Sequence, residues 1–233
     1  MAVSVDRVYQ TVLAIANKEQ RGYITPQEFN LFANQAQNEI FEQYFYDLSQ
    51  FRRIPGNETV SSDPRDMLEE KIALFRVTDA GTSNPLSNDV YRLEGVRYGI
   101  SSEGSSYEAE EVTKKEYEAY HASALTTPPV NRPIFYRSGN TIYRSPNPGG
   151  YTSTHIDYIK RPSSPNWTYV VVNGDALFNP DTSAGWLDFE LHASEEKNLV
   201  VKILQFAGVS MNDTALVQAA GGKEGAYIQQ EKR

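Results

Sequence analysis

The chain has 233 residues, 39% of them hydrophobic and 12% aromatic, with 15 Tyr against 10 Phe and 2 Trp. It contains no cysteine, which excludes disulfides, thiolate metal sites and cysteine nucleophiles. Its formal net charge of −8 disfavours a protein that grips nucleic acid, because neutralising phosphate takes a basic excess.

The longest apolar runs, "VLAIA" and "YVVV", are far too short to cross a bilayer. The opening "MAVSVDRVYQ" lacks the charged and apolar regions of a signal peptide. The expectation is a soluble protein made in a cytoplasm. The Tyr excess suits half-wet β surfaces and interfaces, where the ring packs while the hydroxyl stays hydrated.

A first helix is predicted over about residues 4–18, with Val5, Val8, Tyr9, Val12, Leu13 and Ala16 on one side. The next stretch, "NKEQRGYITPQE" at 17–28, has the outline of an EF-hand loop. Calcium loops, however, carry Asp or Asn at their first, third and fifth places. Here those places hold Asn17, Glu19 and Arg21, and Arg21 would push a guanidinium at the cation. The residues fit a helical corner better. Gly22 ends the first helix, and Thr25, Pro26 and Glu28 form a capping box that opens the second. No metal and no cofactor is therefore expected.

The second helix is predicted from Pro26 to about Phe51. Phe29, Phe32, Ala33, Ala36, Ile40, Tyr44, Leu48 and Phe51 recur at threes and fours, and Phe41 and Phe45 add a second stripe. Two stripes serve either one intramolecular core or a core and a neighbouring subunit. Phe41, Tyr44 and Phe45 are the candidate interface residues.

A turn-rich connector follows, in which Asp63-Pro64 caps a short segment through "DMLEEKI". From about residue 72 the period becomes alternating. Strands are expected in "ALFRVT", "DVYRLEGVRYGI", "YEAEEV", "PIFYR", "TIYRS", "THIDYIK", "TYVVV" and "LDFEL". In "VYRLEGVRYGI" the apolar residues change parity around Gly95, as at a β-bulge. "RSGNTIYR" reads as a hairpin turn. One helix, "TKKEYEAYHAS", interrupts the strands behind a second capping box, Thr113 with Glu116.

The helical period returns after "LDFEL". Ser194 caps "EEKNLVVKILQFA", whose Glu195 and Glu196 suit the helix dipole, and Gly208 ends it. Asp213 opens a last helix, which breaks at Gly221-Gly222 before a polar tail. The expected fold is α+β: a helical bundle from both chain ends with an inserted antiparallel β domain. Residues 1–62 would form the N-terminal hairpin, 63–191 the β-rich insertion and 192–233 the closing helices and tail.

Catalytic patterns are missing from the sequence. His121, His155 and His192 stand in no metal-binding or protease spacing, and there is no nucleophile elbow and no P-loop. The expectation is a protein that is not an enzyme.

Three stretches carry a resemblance. "VYQTVLAIANKEQRGYITPQEFNLFANQAQNEIFEQYFYDL" (8–48) is similar to structural proteins of marine and crAss-like phages. "LSNDVYRLEGVRYG" (86–99) resembles the strand opening L-P-x-D-x-Y-R-L of adaptor and tail-tubular proteins, with Ser87 where proline is usual. "DFELHASEEKNLVVKILQFAGVSMND" (188–213) resembles their closing helices, with Ala193 where proline is common. Together they resemble the head-to-tail connector (adaptor, ring or neck) proteins of tailed bacteriophages.

The resemblance implies a virion structural protein at the head–tail junction, assembled in the host cytoplasm. It would form a homo-oligomeric ring, twelve-fold in expectation, that joins the portal protein to other neck or tail proteins. Genomic DNA would pass through at ejection without sequence-specific binding, and no membrane would be involved. The tail residues Tyr227, Ile228 and Gln229 are the candidate portal-docking segment. The rival from another class is a carbohydrate- or receptor-binding module that uses the Tyr-rich sheet as a stacking platform.

Overall fold

A computed structural model of the chain describes residues 2–18, 24–51, 58–80, 86–100, 105–146 and 153–210. It divides into two compact units, one made of residues 1–74 with 162–233 and the other of residues 75–161. The second unit is shorter than the expected 63–191 insertion at both ends.

The first unit holds α1 (Val5–Lys18), α2 (Pro26–Phe51) and α3 (Glu58–Ala73). The capping box predicted for α2 is present. The Glu28 carboxylate accepts from the Thr25 backbone N–H at 3.0 Å and the Thr25 hydroxyl at 2.7 Å, while Glu28 N–H donates to Thr25 Oγ1. Helix α3 continues through Pro64, where a short capped segment was expected.

Around these helices the core is aromatic. Trp167 is fully buried and lies 4.1 Å from the Tyr9 ring, which meets Phe29 edge-on at 4.8 Å. The segment that carries Trp167 is clasped to the helices by polar side chains, of which Gln37 is buried and Asp6 and Asn30 are partly so. Trp167 Nε1 donates to Asp6 Oδ1, and the Trp167 backbone N–H donates to Asn30 Oδ1. Gln37, with no exposed surface, donates to the Ser163 carbonyl and accepts from the Glu190 N–H. Val5 N–H donates to Asp188 Oδ1, beside an isolated bridge between Val3 and Phe189. Each bond satisfies a main-chain or indole group that burial would otherwise leave stranded.

The last described helix, α5 (Glu196–Ser210), packs on α1 and α2. A 3₁₀ turn, Ala193–Glu195, precedes it and is capped by His192, whose Nδ1 accepts from the Ser194 N–H. The helix continues through Gly208, where a stop was expected. Glu195, expected to suit the dipole of a helix start, stands there and is buried. It takes Lys71 Nζ at 2.7 Å and the Asn198 amide at 2.7 Å. The helix predicted from Asp213 lies outside the described residues.

The second unit is built on strands β1 (Arg76–Ala80), β2 (Val90–Ile100), β3 (Ser105–Glu108), β4 (Glu110–Glu111), β5 (Ile134–Ser138), β6 (Thr141–Ser145) and β7 (Ser153–Lys160), with α4 (Lys114–His121) between β4 and β5. An antiparallel sheet runs in the order β1-β7-β2-β3. Strand β2 slips register against β7 twice, between Val90 and Arg92 and between Leu93 and Gly95. Tyr91 and Glu94 are therefore the extra residues. The inward side chains Val90, Leu93, Val96 and Tyr98 are consequently spaced by three, three and two. The bulge expected near Gly95 is present, but Tyr91 faces outward.

A second sheet, β4-β5-β6, contains a parallel pair, β4 with β5. Parallel neighbours need a long crossover, and α4 with its following loop supplies it. Strands β5 and β6 form a hairpin whose turn begins with Gly139 at φ 60°, the residue that a type II′ turn requires first. A third sheet, β8 (Tyr169–Val172) with β9 (Asp175–Phe178), belongs to the first unit.

These observations overturn the expected α+β organisation. Among the described residues the chain is mixed α/β, with five helices and three small sheets. Strand structure is not confined to one antiparallel insertion. The unit with the long helices has its own hairpin, and the strand-rich unit contains a helix and a parallel pair. "LDFEL" contributes only the isolated bridges of Leu187 and Phe189.

Candidate functional site

The proposed interface residues are mostly core. Phe41 and Tyr44 are buried within the chain, and half-buried Phe45 meets Phe41 edge-on at 5.0 Å. Phe41 and Tyr44 thus face inward, and the residues of α2 open to a neighbouring molecule are different ones. Gln27, Leu31, Gln35, Asn38, Glu42 and Tyr46 recur at threes and fours on the opposite, exposed face. Leu31 is 71% exposed and Tyr46 54%. The two stand about 22 Å apart along the helix, with mainly uncharged amide side chains between them. Tyr227, Ile228 and Gln229 lie outside the described residues.

The first unit also exposes its β-hairpin. Asn173 and Gly174 take φ 55° and 95°, the type I′ turn that favours Asn-Gly. The hairpin base is fixed by Trp167 stacking near Tyr169 and Phe178, by Phe178 against Trp186, and by Thr168 Oγ1 donating to the Asn179 carbonyl. Beyond that base, Val170, Val171, Val172 and Leu177 are 48%, 65%, 46% and 51% exposed. Next to the hairpin, Asp181 is held below the usual carboxylate range by hydrogen bonds from the side chain and backbone of Ser183.

The second unit gathers aromatic residues on β5, β6 and α4. Tyr136 and Tyr143 stack face to face at 4.8 Å, and Tyr117 meets Tyr136 edge-on at 4.7 Å. Tyr117 Oη donates to the Arg144 carbonyl. Partial burial raises the Tyr117 hydroxyl pKa, and neighbouring Tyr136 adds to the effect. His121 lies against the Tyr117 ring, with Nδ1 2.8 Å from the Tyr117 carbonyl and Nε2 2.8 Å from Ser145 Oγ. A carbonyl only accepts, so Nδ1 carries a proton, and in the neutral ring Nε2 accepts from the buried Ser145 hydroxyl. The pair pins α4 to β6.

A groove of about 450 Å³ opens at the β2 bulge. It is lined by Leu93, Gly95, Ala109 and Phe135, with Glu94, Glu108, Glu110 and Glu111 around them. Glu94 is already paired with Arg76 at 3.1 Å. Among the described residues no group of three or more His, Asp or Glu is arranged to hold a metal ion. No described helix is long and apolar enough to cross a membrane. The EF-hand outline falls partly outside the described residues, and the Glu28 carboxylate that would close such a loop is engaged with Thr25.

No protein-family model matches the chain, and no curated protein matches it in sequence.

Proposed function

We propose that this protein is a structural, non-catalytic subunit of the head-to-tail connector of a tailed phage, acting as a ring of copies between the portal and the tail. The three stretches at 8–48, 86–99 and 188–213 suggest the class. The observation that carries the assembly reading is the outer face of α2. There Leu31 and Tyr46 project on one side of a 26-residue helix, separated by Gln35, Asn38 and Glu42, which can hydrogen-bond across a contact. Exposed apolar side chains on one rigid face suit a protein–protein interface. The ring contact is heterologous, repeated around an axis, and DNA slides past a chain of net charge −8 that offers phosphate few partners.

Quantitative peptide mass spectrometry on purified particles of the source phage tests the reading. A ring's worth of copies per particle, retained after the tail is sheared off, is the expected result. Absence of the chain from particles sinks the proposal.

The carbohydrate-binding reading draws on the Tyr117–Tyr136–Tyr143 cluster. Against it, Tyr136 and Tyr143 each spend one ring face on the other, which closes that face to a sugar. Saturable glycan binding that is lost in Tyr143→Ala would reverse this preference.

A further inference from the structure

We infer that the groove at the β2 bulge binds an extended peptide segment of a partner protein, one that carries lysine or arginine beside an apolar side chain. The groove lies where two strands part. Among the described residues β3 pairs with β2 only from Arg97 onward, and the Ala109 N–H still reaches the Val96 carbonyl. Glu110 and Glu111 then leave to join β5. The edge of β2 at residues 93–95 is left without a strand on that side, and the opening of about 450 Å³ is lined by both departing chains.

Nothing among the described residues requires glycine at position 95. Its φ is not in the left-handed region, and a Cβ there would meet nothing closer than Glu108 Oε1 at 3.9 Å. Glycine weakens a strand interior, and it suits a place where a ligand or another backbone comes close. Gly95 keeps the groove open down to the main chain of β2. An extended segment can therefore lie along this edge and share its hydrogen bonds.

The lining selects the chemistry of that segment. Leu93, Ala109 and Phe135 give an apolar floor, and four glutamates stand around it. Glu94 is paired with Arg76, whereas the ion pairs among the described residues leave Glu108, Glu110 and Glu111 without a cation. Three uncompensated carboxylates repel an acidic segment and favour a basic one. Lysine and arginine also lay an aliphatic stem on apolar surface while the charged head stays at the rim. The inference does not rest on the connector reading, because a free chain would bind such a segment whatever assembly it serves.

The probe is a short fluorescein-labelled peptide of alternating arginine and leucine, with its binding read by anisotropy. Saturable binding to the wild-type chain should weaken roughly tenfold in Gly95→Leu, which fills the groove without altering charge. Glu108→Gln combined with Glu110→Gln and Glu111→Gln keeps the shape, and should weaken binding strongly at low salt and less at high salt. Glu118→Gln, at an exposed α4 carboxylate outside the groove, should change nothing. Circular dichroism verifies that each variant folds. Absence of saturable binding, or binding that survives Gly95→Leu, overturns the inference, since the peptide would then be held only by the overall negative charge. Equal binding of a peptide of alternating glutamate and leucine overturns the charge selection. Self-association of the wild-type chain that disappears in Gly95→Leu would give the groove to a second copy instead.

Discussion

The two units are held by different chemistry. In the first, distant segments are tied by buried and part-buried polar groups: Asp6 and Asn30 to Trp167, Gln37 to Ser163 and Glu190, and Lys71 to Glu195. In the second, the core is apolar, with Val96, Tyr98, Phe135, Ile156 and Tyr158 packed between strands whose register carries two bulges. A polar clasp depends on single atoms, and losing one leaves its partner buried and unsatisfied. An apolar sheet spreads the loss over many contacts. Substitutions in the first unit should therefore be costlier and more local in origin.

The largest effect is expected at Trp167. Trp167→Ala removes the aromatic centre of the first unit and strands the Asp6 carboxylate, costing about 3 to 5 kcal/mol. Urea denaturation gives the total. Hydrogen exchange should show the loss in residues 5–48 and 162–191 before residues 90–100. Equal loss in both would remove the contrast between the units.

Lys71→Met comes next. Glu195 keeps the Asn198 amide but loses its cation, and breaking a buried pair from one side costs about 3 kcal/mol. The double variant Lys71→Met with Glu195→Leu should recover most of that, because no buried charge remains. Failure to recover would mean that the pair fixes the 3₁₀ turn before α5 as well as balancing charge.

The sequence disclosed local features better than distant ones. Both capping boxes, the extent of α2, the β5–β6 turn and the bulge in β2 follow from residues within a few positions of one another. Asn30 and Gln37 read as ordinary polar positions of a helix, because their partners lie more than a hundred residues away. Phe41 and Tyr44 suggested a contact between molecules, since periodicity shows that a face is apolar but not what covers it. Strand β9 was hidden for another reason. "DALF" is short and begins with Asp, although the Asn-Gly before it signals a hairpin strongly. Glu195 does stand at its helix start, but its burial was not legible, because an acidic residue there already has a sufficient local explanation.

A small effect sharpens the contrast from the other side. Gly95 suggested the bulge, yet a Cβ there would meet nothing closer than Glu108 Oε1 at 3.9 Å. The extra residue is Glu94, and the slip is set by the pairing of Leu93 and Gly95 with Tyr158 and Asp157. Gly95→Ala should change stability by no more than about 0.5 kcal/mol in a urea titration. A cost above about 2 kcal/mol would mean that the glycine itself holds the bulge.

The two capping boxes give the smallest and most symmetrical test. Thr25 with Glu28 and Thr113 with Glu116 are the same device, one in each unit. Glu28 is held below the usual carboxylate value of 4.5 by the Thr25 backbone and then side-chain hydrogen bonds. Glu116 is lowered by the Thr113 side chain and then its backbone. A carboxyl depressed in the folded state adds stability that is complete above its unfolded value and is lost as pH falls through the folded value. Both contributions should thus be constant near neutrality and disappear below about pH 4.5. Glu28→Gln and Glu116→Gln should each flatten that acid limb slightly, and by similar amounts, in thermal melts from pH 3 to 7. If only one of them does so, the difference between the units extends to the ends of their helices, where identical local chemistry would otherwise make them equal.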